Sequence, residues 1–261
     1  MRQNNVRHDY GRHELMHHER VREEHVRWYS PSVGRDMDLL LFGHAGARVV
    51  VFPTSQGSFT EYRDHGMIAA LGEHLERGWI QAICLDSHDS QSWYAKHVSP
   101  SERIRHHLRY ERYVIDEVLP FTQNRNANPF VIATGCSFGA YHAMLLGLRH
   151  PGLVRRIVGL SGAFDPRRWL DGYSGLDAYF MDPSAFVGGM TEPDQVDALK
   201  GIDIIFAIGR DDPNYESNVR LSDSLSSRAI PHAFRTWDGW AHDWPYWQDM
   251  ILHYIGGPES R

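Results

Sequence analysis

From residue 25 onward, short apolar runs alternate with longer stretches in which apolar residues recur every three or four positions. The short runs are His25–Tyr29, Asp38–Phe42, Arg48–Phe52, Ile80–Leu85, Phe130–Thr134, Ile157–Leu160, Ile202–Ile208 and His232–Trp237. The central ones are rich in Val and Ile and lack polar alternation, the pattern of strands buried on both faces of a parallel sheet. Between them, Thr60–Glu76, Ser101–Phe121, Ser137–Leu148, Glu216–Ser227 and Asp243–Tyr254 carry helical spacing. Strands alternating with helices predict right-handed βαβ units: an α/β fold with a mostly parallel central sheet and helices on both faces. The first two runs have no helix between them, which suits an antiparallel start. The rhythm breaks at Gly162–Gly201, which holds Trp169, Tyr173, Tyr179, Phe180 and Phe186. An insertion of that length predicts a cap over the carboxyl ends of the strands, where open α/β sheets bind ligands.

The chain has 261 residues, 42% of them hydrophobic and 23% charged, so one large domain over residues 25–261 can bury a sizeable core. The preceding Met1–Glu24 is polar and rich in Arg and His, and reads as a tail. The formal net charge of −6 opposes binding to phosphate backbones, so nucleic acid is not an expected partner. No window is apolar enough to span a membrane, and the tail lacks the apolar centre of a secretory signal. The two cysteines, Cys84 and Cys136, both fall in apolar runs, which argues against a disulfide framework. A soluble cytoplasmic protein is the expectation. Oligomeric state is not legible.

The run Phe130-Val131-Ile132-Ala133-Thr134 leads into Gly135-Cys136-Ser137-Phe138-Gly139 and then a helical pattern. This is G-x-S-x-G between a strand and a helix, where a serine hydroxyl stands clear of a strained turn. The crossing leaves room only for tiny residues two places either side, hence Gly135 and Gly139. A helix beginning beneath the serine aims its free N–H groups at the hydroxyl, and the amide of Phe138 is the natural oxyanion donor.

A serine hydroxyl needs a base, and the base needs a carboxylate to orient it. With this elbow the chain order is serine, acid, histidine, each at the end of a later strand. Ile202–Ile208 is followed by Gly209-Arg210-Asp211-Asp212-Pro213, which offers two acids. His232–Trp237 is followed by Asp238-Gly239-Trp240-Ala241-His242, just before a helix that Asp243 can cap. Of 17 histidines, His242 combines chain order with loop position. A second oxyanion amide belongs in the loop after Arg48–Phe52, with Ser55 the first choice and Gln56 the second.

On these residues the chain resembles the esterase branch of the α/β-hydrolases that includes S-formylglutathione hydrolases (esterase D), feruloyl esterases and mycolyltransferases. More narrowly it is similar to a bacterial group of esterase/lipase-superfamily proteins. The matching segments are F-P-T-S-Q-G-S-F-T-E-Y at 52–62, D-S-H-D-S-Q-S-W-Y at 86–94, G-C-S-F-G-A-Y-H-A at 135–143, G-R-D-D-P at 209–213 and G-W-A-H-D-W-P-Y-W at 239–247. The resemblance implies that the acid is Asp212, the second Asp of its motif, and that the base is His242. It further implies carboxylic-ester hydrolysis of a small-molecule substrate through an acyl-enzyme, with no cofactor and no metal. Pro53-Thr54 stands where many relatives carry His-Gly or Asp-Gly, and the His-rich tail lies outside the family pattern.

Two other outcomes share these residues. The acyl group could pass to an alcohol other than water, or the fold could serve as a non-catalytic binding protein. A rival motif, His13-Glu14-Leu15-Met16-His17, matches the zinc-binding H-E-x-x-H, but the segment is too polar to bury and no third ligand follows. Trp93, Tyr94, Tyr141, Trp240 and Trp244 flank the proposed catalytic loops and serve either core or pocket.

Overall fold

The computed structural model describes residues 21–256. The H-E-x-x-H motif at 13–17 lies outside them. Eight strands form one sheet: β1 (Glu23–Ser30), β2 (Arg35–Phe42), β3 (Ala47–Phe52), β4 (Ile80–Leu85), β5 (Val131–Cys136), β6 (Arg156–Leu160), β7 (Asp203–Gly209) and β8 (Ala233–Trp237). Their order is β1-β2-β4-β3-β5-β6-β7-β8. β2 pairs antiparallel with β1 and β4, and every other pairing is parallel.

The sequence pattern explains the layers. In β3, Val49 and Val51 point to one face and Val50 to the other, the period of a strand. Val50, Ile83, Ala133 and Ile157 join one core with Tyr113, Met144 and Leu221. Val49, Val51, Ile132 and Val158 join the other with Met67, Leu75, Met250 and Ile251. Helices therefore cover both faces, as expected for an α/β-hydrolase sheet.

Three boundaries differ from the sequence reading, each for a physical reason. β1 begins at Glu23, inside the expected tail, because an edge strand tolerates alternate exposed side chains and its glutamates reach Arg63 and Arg125. The helix expected over Thr60–Glu76 is three short ones, Glu61–Asp64, Met67–Ala70 and Gly72–Glu76, the first break falling at Gly66 with φ +77°. The helix expected over Ser101–Phe121 runs Pro100–Arg112, loosens into a π-helical turn at Tyr113–Val118, and resumes as Leu119–Arg125. Pro120 lacks the N–H that a regular turn needs, and the wider turn accommodates it.

The 162–201 segment holds four short helices: Arg167–Leu170, Leu176–Tyr179, Pro183–Gly188 and Pro193–Lys200. The third packs on the helices Tyr215–Ser227 and Phe138–Arg149, and the second on Pro100–Arg112. The strand order reverses about β3, which sits between β4 and β5. The carboxyl ends of β3 and β5 therefore flank the crevice where ligands bind in such sheets.

Candidate active site

Ser137 follows β5 directly and precedes the helix Phe138–Arg149. Its backbone sits at φ 55°, ψ −114°, a conformation L-residues avoid. The neighbouring glycines make this possible. A Cβ on Gly135 would lie 2.4 Å from the carbonyl carbon of Gly139, and one on Gly139 would lie 2.3 Å from the carbonyl oxygen of Phe52. Elbow, helix and β3 loop thus touch through backbone alone.

His242 stands in the loop after β8. Its Nε2 is 3.1 Å from Ser137 Oγ, and its Nδ1 is 2.6 Å from Asp212 Oδ2. The Asp212 side chain is fully buried, and its other oxygen accepts from the amide of Asn214 at 2.8 Å. Asp211 is exposed, so it is Asp212 that both reaches the histidine and holds a loop amide. Ala241, at φ 43°, sets the histidine loop, and its carbonyl accepts from Ser161 Oγ at 3.1 Å. Ser161 in turn accepts from the indole N–H of Trp247 at 3.0 Å, and the Trp247 ring packs edge-on against His242.

Thr54, Ser55 and Gln56 follow β3. The Thr54 amide donates to Glu61 at 2.9 Å, and its hydroxyl bonds the same carboxyl group. The Gln56 amide donates to Asp89 at 3.0 Å, which removes it as a free oxyanion donor. The Ser55 amide has no acceptor among the described residues, while its hydroxyl accepts from Tyr94 at 2.8 Å. The Phe138 amide opens its helix and likewise has no acceptor among the described residues. Burial raises the pKa of Glu61, against its hydrogen bonds to Thr54, which lower it.

The flanking aromatics divide. Trp93 and Tyr141 are core residues, fully buried. Tyr94 packs edge-on against Phe138, and Trp169, from the 162–201 segment, lies 4.4 Å from the Phe138 ring. Trp240 is half exposed, 5.6 Å from the His242 ring. Cys136, next to the serine, is no competing nucleophile: it is buried against the Tyr62 hydroxyl, and burial pushes its thiol pKa up. Among the described residues no group of three or more His, Cys, Asp or Glu side chains could hold a metal, and no helix is long and apolar enough to cross a membrane.

The sequence reading missed the supports: Glu61, Asp89, Tyr94 as a partner of Ser55, and His142, Ser161 and Trp247. Asp89 lies within the matching segment at 86–94 and His142 within that at 135–143, which is the one signal that marked them.

A family model described as "Putative esterase" matches residues 79–254. Curated proteins give no match by sequence. Among solved structures, a ferulic acid esterase superposes with a TM-score of 0.72 at 14% identity, over 89% of this chain and 96% of that one. An S-formylglutathione hydrolase from Agrobacterium tumefaciens gives 0.70 at 13% identity, over 89% and 93%. The fluorophosphonate-binding serine hydrolase F of Staphylococcus aureus gives 0.64 at 18% identity, over 89% and 96%. At these identities the likeness is one of fold. The family match spans most of the sheet and every candidate residue from β5 onward, so the chain belongs to this esterase family, the α/β-hydrolase-fold carboxylic-ester hydrolases.

Proposed function

We propose that Ser137, His242 and Asp212 form a catalytic triad that hydrolyses a small or medium acyl ester through an acyl-enzyme. The carrying observation is the unbroken hydrogen-bond chain from Asp212 to His242 to Ser137, with distances of 2.6 and 3.1 Å.

Asp212 accepts from His242 Nδ1–H, which leaves the Nε2 lone pair facing the Ser137 hydroxyl. As Oγ forms its bond to the ester carbonyl carbon, its proton moves to Nε2 and the carbonyl π pair moves onto oxygen. The amides of Phe138 and Ser55 receive that oxyanion. Collapse re-forms the carbonyl and breaks the bond to the alkoxy oxygen, which takes the proton from Nε2 as the alcohol leaves. Water, deprotonated by the same nitrogen, repeats the sequence on the acyl-enzyme, releasing the acid and restoring Ser137. No step draws on a cofactor or metal. The two cysteines are buried free thiols, which fits a reducing compartment.

The test is pre-steady-state hydrolysis of p-nitrophenyl esters. A burst of one equivalent of p-nitrophenol is expected from wild type, and Ser137→Ala should lose roughly 10⁴-fold or more in kcat. An unchanged rate in Ser137→Ala would overturn the reading.

A further inference from the structure

The oxyanion hole proposed above draws its two amides from different elements: Ser55 from the loop after β3, Phe138 from the start of the helix after β5. Their separation must be set by something that touches both. Asp89 does. One carboxylate oxygen accepts from the amide of Gln56, the residue after Ser55, at 3.0 Å. The other lies 3.1 Å from Nε2 of His142, which stands on the helix that Phe138 opens. Both side chains are at least 97% buried.

We propose that Asp89 is a positioning residue for ester hydrolysis, holding the oxyanion loop at a fixed distance from the nucleophile helix through Gln56 and His142. The proposal rests on the reading of Ser55 and Phe138 as oxyanion donors.

Three further observations support it. Gln56 sits at φ 55°, so its left-handed backbone needs an outside partner to stay there, and that partner is Asp89. The other side of Ser55 is held in the same way, with Glu61 bonding the amide and hydroxyl of Thr54. Carboxylates therefore bracket the loop, and the Ser55 amide is left between them without an acceptor among the described residues. Finally, Asp89 is itself held. Its amide donates to Ser87 Oγ at 3.1 Å, and its carbonyl accepts from the amides of Ser92 and Tyr94 at 3.1 and 2.9 Å. The same turn delivers Tyr94 to the Ser55 hydroxyl. A buried carboxyl group bonded through both oxygens has little freedom to shift, which suits a part that must not drift as the oxyanion forms.

A loosened oxyanion hole affects the tetrahedral state and not the ground-state ester. The experiment measures kcat, KM and the Ki of a trifluoromethyl ketone for wild type, Asp89→Asn, Asp89→Ala and His142→Leu. The ketone adds to the serine and places a real oxyanion in the hole. Asp89→Ala is expected to lower kcat roughly 10- to 100-fold, with KM within roughly threefold and Ki raised by the same factor as kcat falls. Asp89→Asn can still accept from Gln56 and should lose less. His142→Leu, which has no donor, breaks the link from the helix side and should fall on the same line of kcat against Ki. Thermal melting of each variant selects those that are folded, and a folded Asp89→Ala or His142→Leu decides. The proposal is overturned if folded Asp89→Ala or His142→Leu keeps kcat within twofold of wild type, or loses kcat while the ketone binds as before. Ser137→Ala run on the same ester separates the two readings: its inactivity alongside an unaffected Asp89→Ala defeats the positioning role alone.

Discussion

A hydroxyl that is a poor nucleophile in water stands at Ser137 in a backbone conformation that only its surroundings can enforce. Those surroundings are atoms within 3 Å of positions where a Cβ would be. Gly135→Ala is therefore expected to cost about 1–3 kcal/mol of stability by forcing the helix start away from β5. Urea denaturation measures the loss, and ester turnover should fall with it. An active, equally stable Gly135→Ala would contradict the elbow packing. Asp212→Asn keeps the size of the side chain but removes the charge that would steady the imidazolium in the proposed triad, so kcat should drop by roughly 10⁴ with the fold intact. Asp211→Asn, on an exposed side chain, should leave kcat unchanged in the same assay. Ser137 and His242 were legible because a local motif and chain order point to them. Asp89 and His142 were not, because their bond joins positions 53 apart with no spacing rule behind it.

At the level of elements, the central strands β3, β5, β6 and β7 were readable from Val and Ile content, because burial on both faces leaves little polar alternation to misread, whereas the edge strand β1, with alternate residues exposed, began earlier than its apolar run. The long helices were less so. Gly66 and Pro120 broke two of them at positions where the apolar spacing continued. The 162–201 segment was legible as an interruption, but not its anchoring. Arg103, with its guanidinium buried, donates to the carbonyls of Ala95 and Trp169 at 3.0 and 2.7 Å and pairs with Asp171 at 2.6 Å. It thereby ties the loop that carries Tyr94 to the helix that carries Trp169. Arg103→Met should destabilise the protein by about 1–3 kcal/mol, because it leaves the Trp169 carbonyl without a donor and the Ala95 carbonyl with the Val98 amide alone. If the segment shapes the substrate pocket, KM should also shift for bulky acyl esters more than for acetate. A variant that melts with wild type would remove Arg103 as the anchor.

Across the whole molecule, buried histidines couple the fold to pH. Burial lowers His107 to about 3 and His88 to about 4, from an ordinary value of 6.5. Both are neutral in the fold and titrate near 6.5 once exposed, so between about pH 6.5 and 4 the unfolded chain binds more protons. Stability should fall across that window as pH drops, by on the order of 1 kcal/mol per pH unit per histidine. Glu111, which burial alone would raise, is brought to about 2 by His150 and Arg149, so its contribution is lost only at lower pH. Urea midpoints at pH 7 and pH 5 check this, and His107→Gln should flatten the slope. A midpoint that stays level would mean that these rings are not neutral in the fold.

The central claim is that acyl chemistry occurs at Ser137 with His242 as its base. Treatment with a fluorophosphonate followed by peptide mass mapping tests it most directly. Wild type should gain a single adduct, on Ser137, and His242→Ala should react far more slowly. Ser137→Ala should remain unlabelled and inactive on esters. An adduct on another residue, or ester turnover persisting in Ser137→Ala, would contradict the account.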